Sequence, residues 1–391
     1  MADKTIRKRI MFYVQHLLGI GHLERALRLS SYLQDAGLDV TLVSGGKPYP
    51  HAAAHGAKII QLAPARAADA DFSALLDSAG SPIDDVWRAQ RQQALLRAFD
   101  DCAPHALLVE MFPFGRRQFS FELLPLLQAA RARPSAPLVL CSVRDILIPS
   151  EKSGRSEEAI ARAQELFDHI LVHGDADFLR LEESYPAATA LREKIIYTGY
   201  VTAGTPRANT GFAGSNEVTI SAGGGAVGEA LLLSALQARA RSVQAGNKVW
   251  RILVGANAPE GQLQTLKDGA PEGVIVEAAR PDFPQMLLHC ACSVSQGGYN
   301  TVMDILQAKA AAHTPAVIVP FATAREREQT IRAEALARAG LAILLPQAQL
   351  GPAALAAAVD QAILQKNLSP RLPDLNGGPA TARLLQEKLN G

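Results

Sequence analysis

Short, unbroken apolar runs alternate along this chain with longer stretches whose apolar positions recur every three or four residues. Ile10–Val14 is the first run. From about His22 to Ala36 the pattern changes: Leu23, Ala26, Leu27, Ser30 and Leu33 share one helical face, and Gly37 stops the helix. Asp39–Ser44, Lys58–Leu62, Ala106–Glu110, Leu138–Val143, His169–His173 and Lys194–Tyr200 read as further strands. Runs that are apolar throughout predict strands buried on both faces, and helices between them predict a parallel sheet. Thr202–Asn216, rich in Gly, Ala, Thr and Asn, breaks the rhythm and reads as a linker.

The rhythm then restarts. Glu217–Ser221, Lys248–Val254, Val274–Glu277, Cys292–Ser295, Ala316–Pro320 and Ala342–Leu345 are its strands. Helices fall near Gly228–Val243, Thr301–Ala312, Arg325–Ala339 and Pro352–Gln365. The expectation is an α/β protein of two doubly wound, Rossmann-like domains, 1–205 and 206–375, facing across a cleft, with a C-terminal helix at 376–391 packing back on the first. The length of 391 residues agrees, because one core rarely spans so long a chain.

Composition narrows the function classes. Thirty-nine Lys and Arg against 38 Asp and Glu give a net charge of +1, so no bulk basicity points to nucleic acid. No run approaches the ~18 apolar residues of a membrane span. The basic start MADKTIRKRIMFYV lacks a small-residue cleavage site and is not read as a signal peptide. Cys102, Cys141, Cys290 and Cys292 lack zinc spacing and read as reduced thiols of a cytoplasmic protein. No metal or cofactor is expected. The acidic triplets DAD at Asp69–Asp71 and Asp175–Asp177 read as surface carboxylates.

Candidate chemistry lies where strands hand over to helices. In GIGH, Gly19 and Gly21 precede His22 at a helix start, a place that offers free N–H groups and a partial positive charge. His22 there suits a general base, and equally a tight turn with a capping histidine. SAGGGAVG puts Gly223, Gly224 and Gly225 at a second such point, as a phosphate cradle or a flexible turn. SQGGYNTVMD brings Gly297, Gly298 and Tyr299, then Asn300 or Thr301 as N-cap, and Asp304 near the first turn, able to hold a ribose or to favour the helix dipole. Glu328 and Gln329 open a later helix, as a pair for sugar hydroxyls or an exposed charged start. In EMFPFGRRQF, the aromatic residues around Arg116 and Arg117 form either an acceptor site or packing between helices, with Arg144 and Asp145 as second-rank contacts.

This ordered set resembles the two-domain glycosyltransferases of the GT-B fold, in particular the MurG-like branch and a bacterial group of predicted glycosyltransferases carrying the string at Glu110–Phe119. The resemblance implies transfer from a nucleotide sugar, usually a UDP-sugar, to a small-molecule, glycan or lipid-linked acceptor, with inversion and without metal. It implies His22 as catalytic base. Gly19, Gly21, Gly223–Gly225 and Gly297–Thr301 would lie on the donor, with Asp304 at the ribose and Glu328 and Gln329 at the sugar. Glu110, Phe112, Phe114, Arg116, Arg117, Arg144 and Asp145 would meet the acceptor in the first domain. Peripheral contact with the inner face of the plasma membrane stays open. The chain departs from the family in carrying Asp rather than Glu at the ribose position and Glu-Gln rather than Gln-Gln at the sugar position. A nucleotide-sugar hydrolase or epimerase, or a non-catalytic nucleotide-sugar sensor, would use the same features.

Overall fold

The computed structural model describes residues 7–17, 19–49, 56, 58–68, 74–204, 213–224, 228–323, 327–366 and 370–390. The chain forms two compact units, Met1–Val201 with Asp374–Gly391, and Thr202–Pro373. Gly225, Arg325 and the triplet at 69–71 lie outside the described residues.

Along the first unit run β1 (Arg9–Val14), β2 (Asp39–Ser44), β3 (Lys58–Gln61), a short antiparallel pair β4 (Arg66–Ala67) and β5 (Leu75–Leu76), β6 (Ala106–Glu110), β7 (Leu138–Arg144), β8 (His169–His173) and β9 (Ile195–Tyr197). Seven of these form one parallel sheet in the order β3-β2-β1-β6-β7-β8-β9. Its helices are α1 (Gly21–Asp35), α2 (Asp85–Cys102), α3 (Ser120–Ala132), α4 (Arg155–Leu166) and the single turn α5 (Leu181–Ser184). The two-residue period of a strand splits β1 between two cores. Met11 and Tyr13 pack under α2 and α3, whereas Ile10, Phe12 and Val14 pack under α1. Each such buried aliphatic or aromatic side chain contributes roughly 1.5–3 kcal/mol.

The second unit holds β10 (Val218–Ser221), β11 (Trp250–Val254), β12 (Val274–Ala278), β13 (Cys292–Ser295), β14 (Ala316–Ile318) and β15 (Ile343–Leu344). They form a parallel sheet in the order β12-β11-β10-β13-β14-β15. α6 (Glu229–Ala238), α7 (Gln262–Asp268), α8 (Phe283–His289), α9 (Tyr299–Ala312), α10 (Glu328–Arg338) and α11 (Pro352–Leu364) surround it. Both sheets reverse their direction of winding once, between β1 and β6 and between β10 and β13. The loops leaving the carboxyl ends of those strands splay apart, and an open α/β sheet binds its ligand there.

The last helix, α12 (Gly377–Asn390), returns to the first unit and packs on α1. Gln386 Nε2 donates to Ala36 O at 2.6 Å, and Val201 bridges Asn376. A Cβ on Gly378 would fall inside the ring of Tyr32. No described helix is long and apolar enough to cross a membrane. Gly378→Ala is therefore expected to destabilise the protein by about 1–3 kcal/mol, since overpacking a tight contact forces a shift. Thermal unfolding followed by circular dichroism checks it; an unchanged melting temperature would show that α12 yields freely.

Candidate active site

At the reversal of the first sheet, β1 ends at Val14 and the chain reaches α1 through an exposed Gly19–Gly21 turn. Ile20 is the N-cap and supplies no side-chain cap to α1. A Cβ placed on Gly19 would meet nothing within 4 Å. His22 sits in this first turn with 15% of its side chain exposed.

Behind it stands Glu110, the last residue of β6 and fully buried. His22 Nδ1 lies 2.7 Å from Glu110 Oε1, and Arg25, one turn along α1, pairs with the same oxygen. Ser142 on β7 donates to Oε2 at 3.0 Å. Ser142 Oγ in turn lies 3.0 Å from His173 Nε2 on β8, and His173 Nδ1 lies 2.9 Å from Thr198 Oγ1. Donor counting fixes the protons. An ionised carboxylate only accepts, so His22 Nδ1 carries hydrogen and Nε2 keeps a lone pair. Ser142 has one proton, given to Glu110. His173 Nε2 must then donate to Ser142, and His173 Nδ1 accepts from Thr198. The chain of donors runs one way and ends on Glu110.

Electrostatics follow this geometry. Burial opposes ionisation of Glu110, but Arg25 and His22 outweigh it and hold the carboxyl well below its usual range. Burial, then the charges of Arg144 and Arg116, push His22 down to about 3. Burial, then Arg25, push His173 down to about 3. Burial, then Arg116, push His16 down to about 4. His22 is thus a neutral imidazole at any ordinary pH.

The structure corrects several expected acceptor contacts. Glu110 is no surface contact; it orients His22 from the interior. Phe112 is fully buried, and Phe114 packs edge-on against Tyr185 with ring centroids 5.8 Å apart. Arg117 turns away to pair with Glu158 at 2.6 Å. Asp145 is fully buried and accepts from the Tyr200 hydroxyl at 3.3 Å. Packing explains most of this stretch, because its apolar side chains complete the core under α3 and α4. Arg116 and Arg144 remain beside His22, and Arg116 Nε donates to Gln15 O at 2.6 Å.

In the second unit the glycine turns follow β10 and β13, the two strands at the reversal. Gly223 is left-handed with φ +64°, and its N–H donates to Ser221 Oγ at 3.2 Å. Gly224 O accepts from Asn257 N at 2.9 Å. Gly297 has φ +87°, and a Cβ there would meet Ile318 Cγ2 at 2.7 Å, so only glycine fits. Gly298 itself is the N-cap of α9, not Asn300 or Thr301, and no side chain caps the helix. A Cβ on Gly298 would meet nothing within 4 Å. Tyr299 to Thr301 form the first turn, which moves Asp304 to the second turn, largely buried.

Glu328 and Gln329 do open a helix, as the sequence indicates, but each has structural work. Glu328 pairs with the buried Arg332 at 2.8 Å, and Arg332 also donates to Gly297 O at 3.2 Å and lies over the Tyr299 ring. Gln329 Oε1 accepts from Phe321 N at 3.0 Å. Arg332, absent from the sequence reading, ties α10 to the turn before α9. Its only sequence signal was a four-residue spacing from Glu328.

Residues 219–373 match the glycosyltransferase family 28 C-terminal domain, a span that fills most of the second unit. The whole chain is similar in fold to MurG of Acinetobacter baumannii, at 16% identity with 97% of this chain and 99% of that one covered and a TM-score of 0.58. It is similar to UGT2 of Phytolacca americana, solved with UDP-2fluoro-glucose and pterostilbene, at 13% identity, 98% and 100% coverage and a TM-score of 0.59. It is similar also to the spinosyn rhamnosyltransferase SpnG complexed with thymidine diphosphate, at 16% identity, 98% and 95% coverage and a TM-score of 0.56. The fold is that of the GT-B glycosyltransferases, and the enzyme class is glycosyltransferase.

The buried histidines set an acid limit on stability. Below pH 6.5 the unfolded chain protonates His16, His22 and His173, whereas the folded chain resists until about pH 3 to 4. The unfolded state then binds more protons, so stability falls as pH falls through this window. Glu110 adds to the loss below its ordinary value of 4.5. The melting temperature is expected to decline between pH 6.5 and 4, with a shallower slope in His173→Gln. A flat profile over that range would contradict the burial of neutral imidazoles.

Proposed function

We propose that this glycosyltransferase moves a sugar from a nucleotide sugar, a UDP-sugar, to an acceptor hydroxyl by direct displacement. The observation that carries the reading is the His22–Glu110 pair: Nδ1 is committed to the carboxylate at 2.7 Å, which leaves Nε2 as a base in the exposed turn. In the reaction the acceptor oxygen attacks the anomeric carbon as His22 Nε2 takes its proton. The bond to the nucleoside diphosphate breaks with its electron pair on the leaving oxygen, and the anomeric configuration inverts. Glu110 offsets the charge of the imidazolium that forms. Arg116 and Arg144, flanking His22, suit an acceptor that carries an anionic group.

Donor binding is assigned to the second unit. The amides at the start of α9 and the Gly223–Gly224 turn would take the diphosphate and the charge that develops on it. Asp304, on the second turn of α9, is assigned to the ribose hydroxyls. Glu328 and Gln329 stand at the start of α10, where the sugar of the donor would lie. No group of three or more His, Cys, Asp or Glu able to hold a metal occurs among the described residues, and transfer is proposed to run on amides and helix ends without one.

His22→Ala is expected to lower kcat by about 10²–10⁴-fold with donor affinity nearly kept, the usual share of a general base. Glu110→Gln is expected to lower kcat in the same direction, because a carboxamide no longer offsets the imidazolium. Steady-state kinetics with calorimetric donor binding check both; a folded His22→Ala enzyme with normal turnover rules the assignment out.

Metal independence has its own measurement. Turnover is expected to persist in excess EDTA and to change little on adding magnesium or manganese. Activity abolished by EDTA and restored by manganese would overturn the proposed stabilisation of the leaving group.

A further inference from the structure

The opposite edge of the first unit's sheet holds a second concavity. β1 begins at Arg9, β6 at Ala106 and β7 at Leu138, and these amino ends line a cavity of about 610 Å³. At ~3.3 Å per residue, β1 separates it from the His22 turn by about 17–20 Å. The wall is cationic: Lys8, Arg9, Arg131, Arg133 and Lys388 face Asp168 alone. The chain as a whole carries only +1, so this charge is a local concentration.

The cations divide by role. The three guanidiniums have internal partners. Arg9 donates to the carbonyls of Cys102 and Ala103 at 2.8 and 2.7 Å, closing the end of α2. Arg131 forks onto Asp168 at 2.9 and 3.2 Å. Arg133 pairs with Asp100 at 2.6 Å and lies over the Phe99 ring. The two lysines differ: no described carboxylate pairs with Lys8 or Lys388, although they sit on chain segments far apart in sequence. His105 adds a fixed donor. Its Nδ1 accepts from Arg9 N at 3.0 Å, so the neutral ring presents Nε2–H. Burial, then Arg9 and Lys8, lower its pKa, which registers the positive potential of the basin.

We propose that this basin is a binding site for a phosphate-bearing small molecule, held by the ammonium groups of Lys8 and Lys388 and by His105. Two mobile point charges over a rigid basic floor match a dianionic phosphate in charge and donor number. The volume exceeds that of one phosphate and falls within the usual ~300–1,000 Å³ of small-molecule sites, so the phosphate carries an organic body. The strands clamped at this end, β1 and β6, are those whose other ends bear the His22 turn and Glu110.

The test compares the full-length protein with a Lys8→Ala/Lys388→Ala double variant, using inorganic pyrophosphate as the probe in calorimetry at low salt. Pyrophosphate can also enter the glycine turns of the second unit, so the difference between the two proteins is the readout. The expected result is a site present in the wild type and weakened at least tenfold in the variant, with equal melting temperatures, and weakened further in both as salt screens it. A parallel arm sediments both proteins with phosphatidylglycerol or phosphatidylcholine vesicles. Sedimentation of wild type alone, and only with phosphatidylglycerol, would place the phosphate on a lipid headgroup. Equal pyrophosphate binding by both proteins, or binding of neither probe to the wild type, would overturn the proposal.

Discussion

The carboxylate of Glu110 is the interaction on which the first unit's site depends. A carboxylate at the end of a central strand, with no exposure, must be matched by donors or it stays protonated. Here it is matched by three donors from two elements: His22 and Arg25 on α1, and Ser142 on β7. Each donor loses a partner if the others move, so α1 is pinned to the sheet at its first turn. Removing one member of such a buried ion pair typically costs about 3–5 kcal/mol, because the other charge is left uncompensated. Rigidity and chemistry therefore have one source. The bond that aims His22 sets its tautomer, burial with Arg144 and Arg116 keeps Nε2 unprotonated, and Arg25 keeps Glu110 from becoming the proton's destination.

A second buried network holds the same loop from below. Tyr13, the residue before the end of β1, donates to Glu122 Oε1 at 2.6 Å. Arg91 on α2 donates to Glu122 Oε2 at 2.7 Å and to Gly45 O at 2.9 Å, and also reaches the side chain of Gln15. Gln15 O then receives Arg116. A chain of contacts thus links α2, α3 and the loops after β1, β2 and β6. The glycine at 45 is required by this closeness, since a Cβ there would strike Gln15 and Arg91. This network lies at the carboxyl edge, which is where a pre-organised site needs stiffness.

How much of this was legible in the sequence depends on where the polar groups went. The parallel strands were readable because β1, β6 and β7 are apolar almost throughout and β10 and β13 alternate small polar with apolar residues, and the glycine turns because glycine tolerates their backbone. α2 was not recognisable. Its buried face is Arg91, Leu95, Ala98 and Phe99, so one position of the apolar stripe is a charged residue and the period is broken. The Phe-rich stretch after β6 misled for the opposite reason. Exposed aromatics and core aromatics have the same letters, and only the fold shows Phe112 and Phe119 in the interior. Glu110 was found as a residue, but its buried place behind His22 was not. Nothing local says that a strand-terminal glutamate faces back to a histidine 88 positions earlier. That pairing comes from β1 and β6 being neighbours across the reversal of the sheet.

In the proposed displacement the two units would contribute different groups. In the first, side chains would carry the chemistry: a neutral imidazole stands against a carboxylate that is already ionised, so the imidazolium formed on proton transfer would have a counter-charge beside it. In the second, the backbone would. Gly297 is held left-handed against Ile318, Arg332 fixes its carbonyl, and Gly298 hands directly into α9 without a capping side chain. The absence of a cap is informative once Arg332 is considered. A Ser or Asp at that position would offer the first amides of α9 a side-chain acceptor, worth only on the order of a few tenths of a kcal/mol over glycine. With Gly298 there, no N-cap side chain serves those amides, and a buried arginine one helix away holds the turn before them. Glycine thus leaves space at the helix start at little cost in stability, on the strand pair where an open sheet admits a ligand.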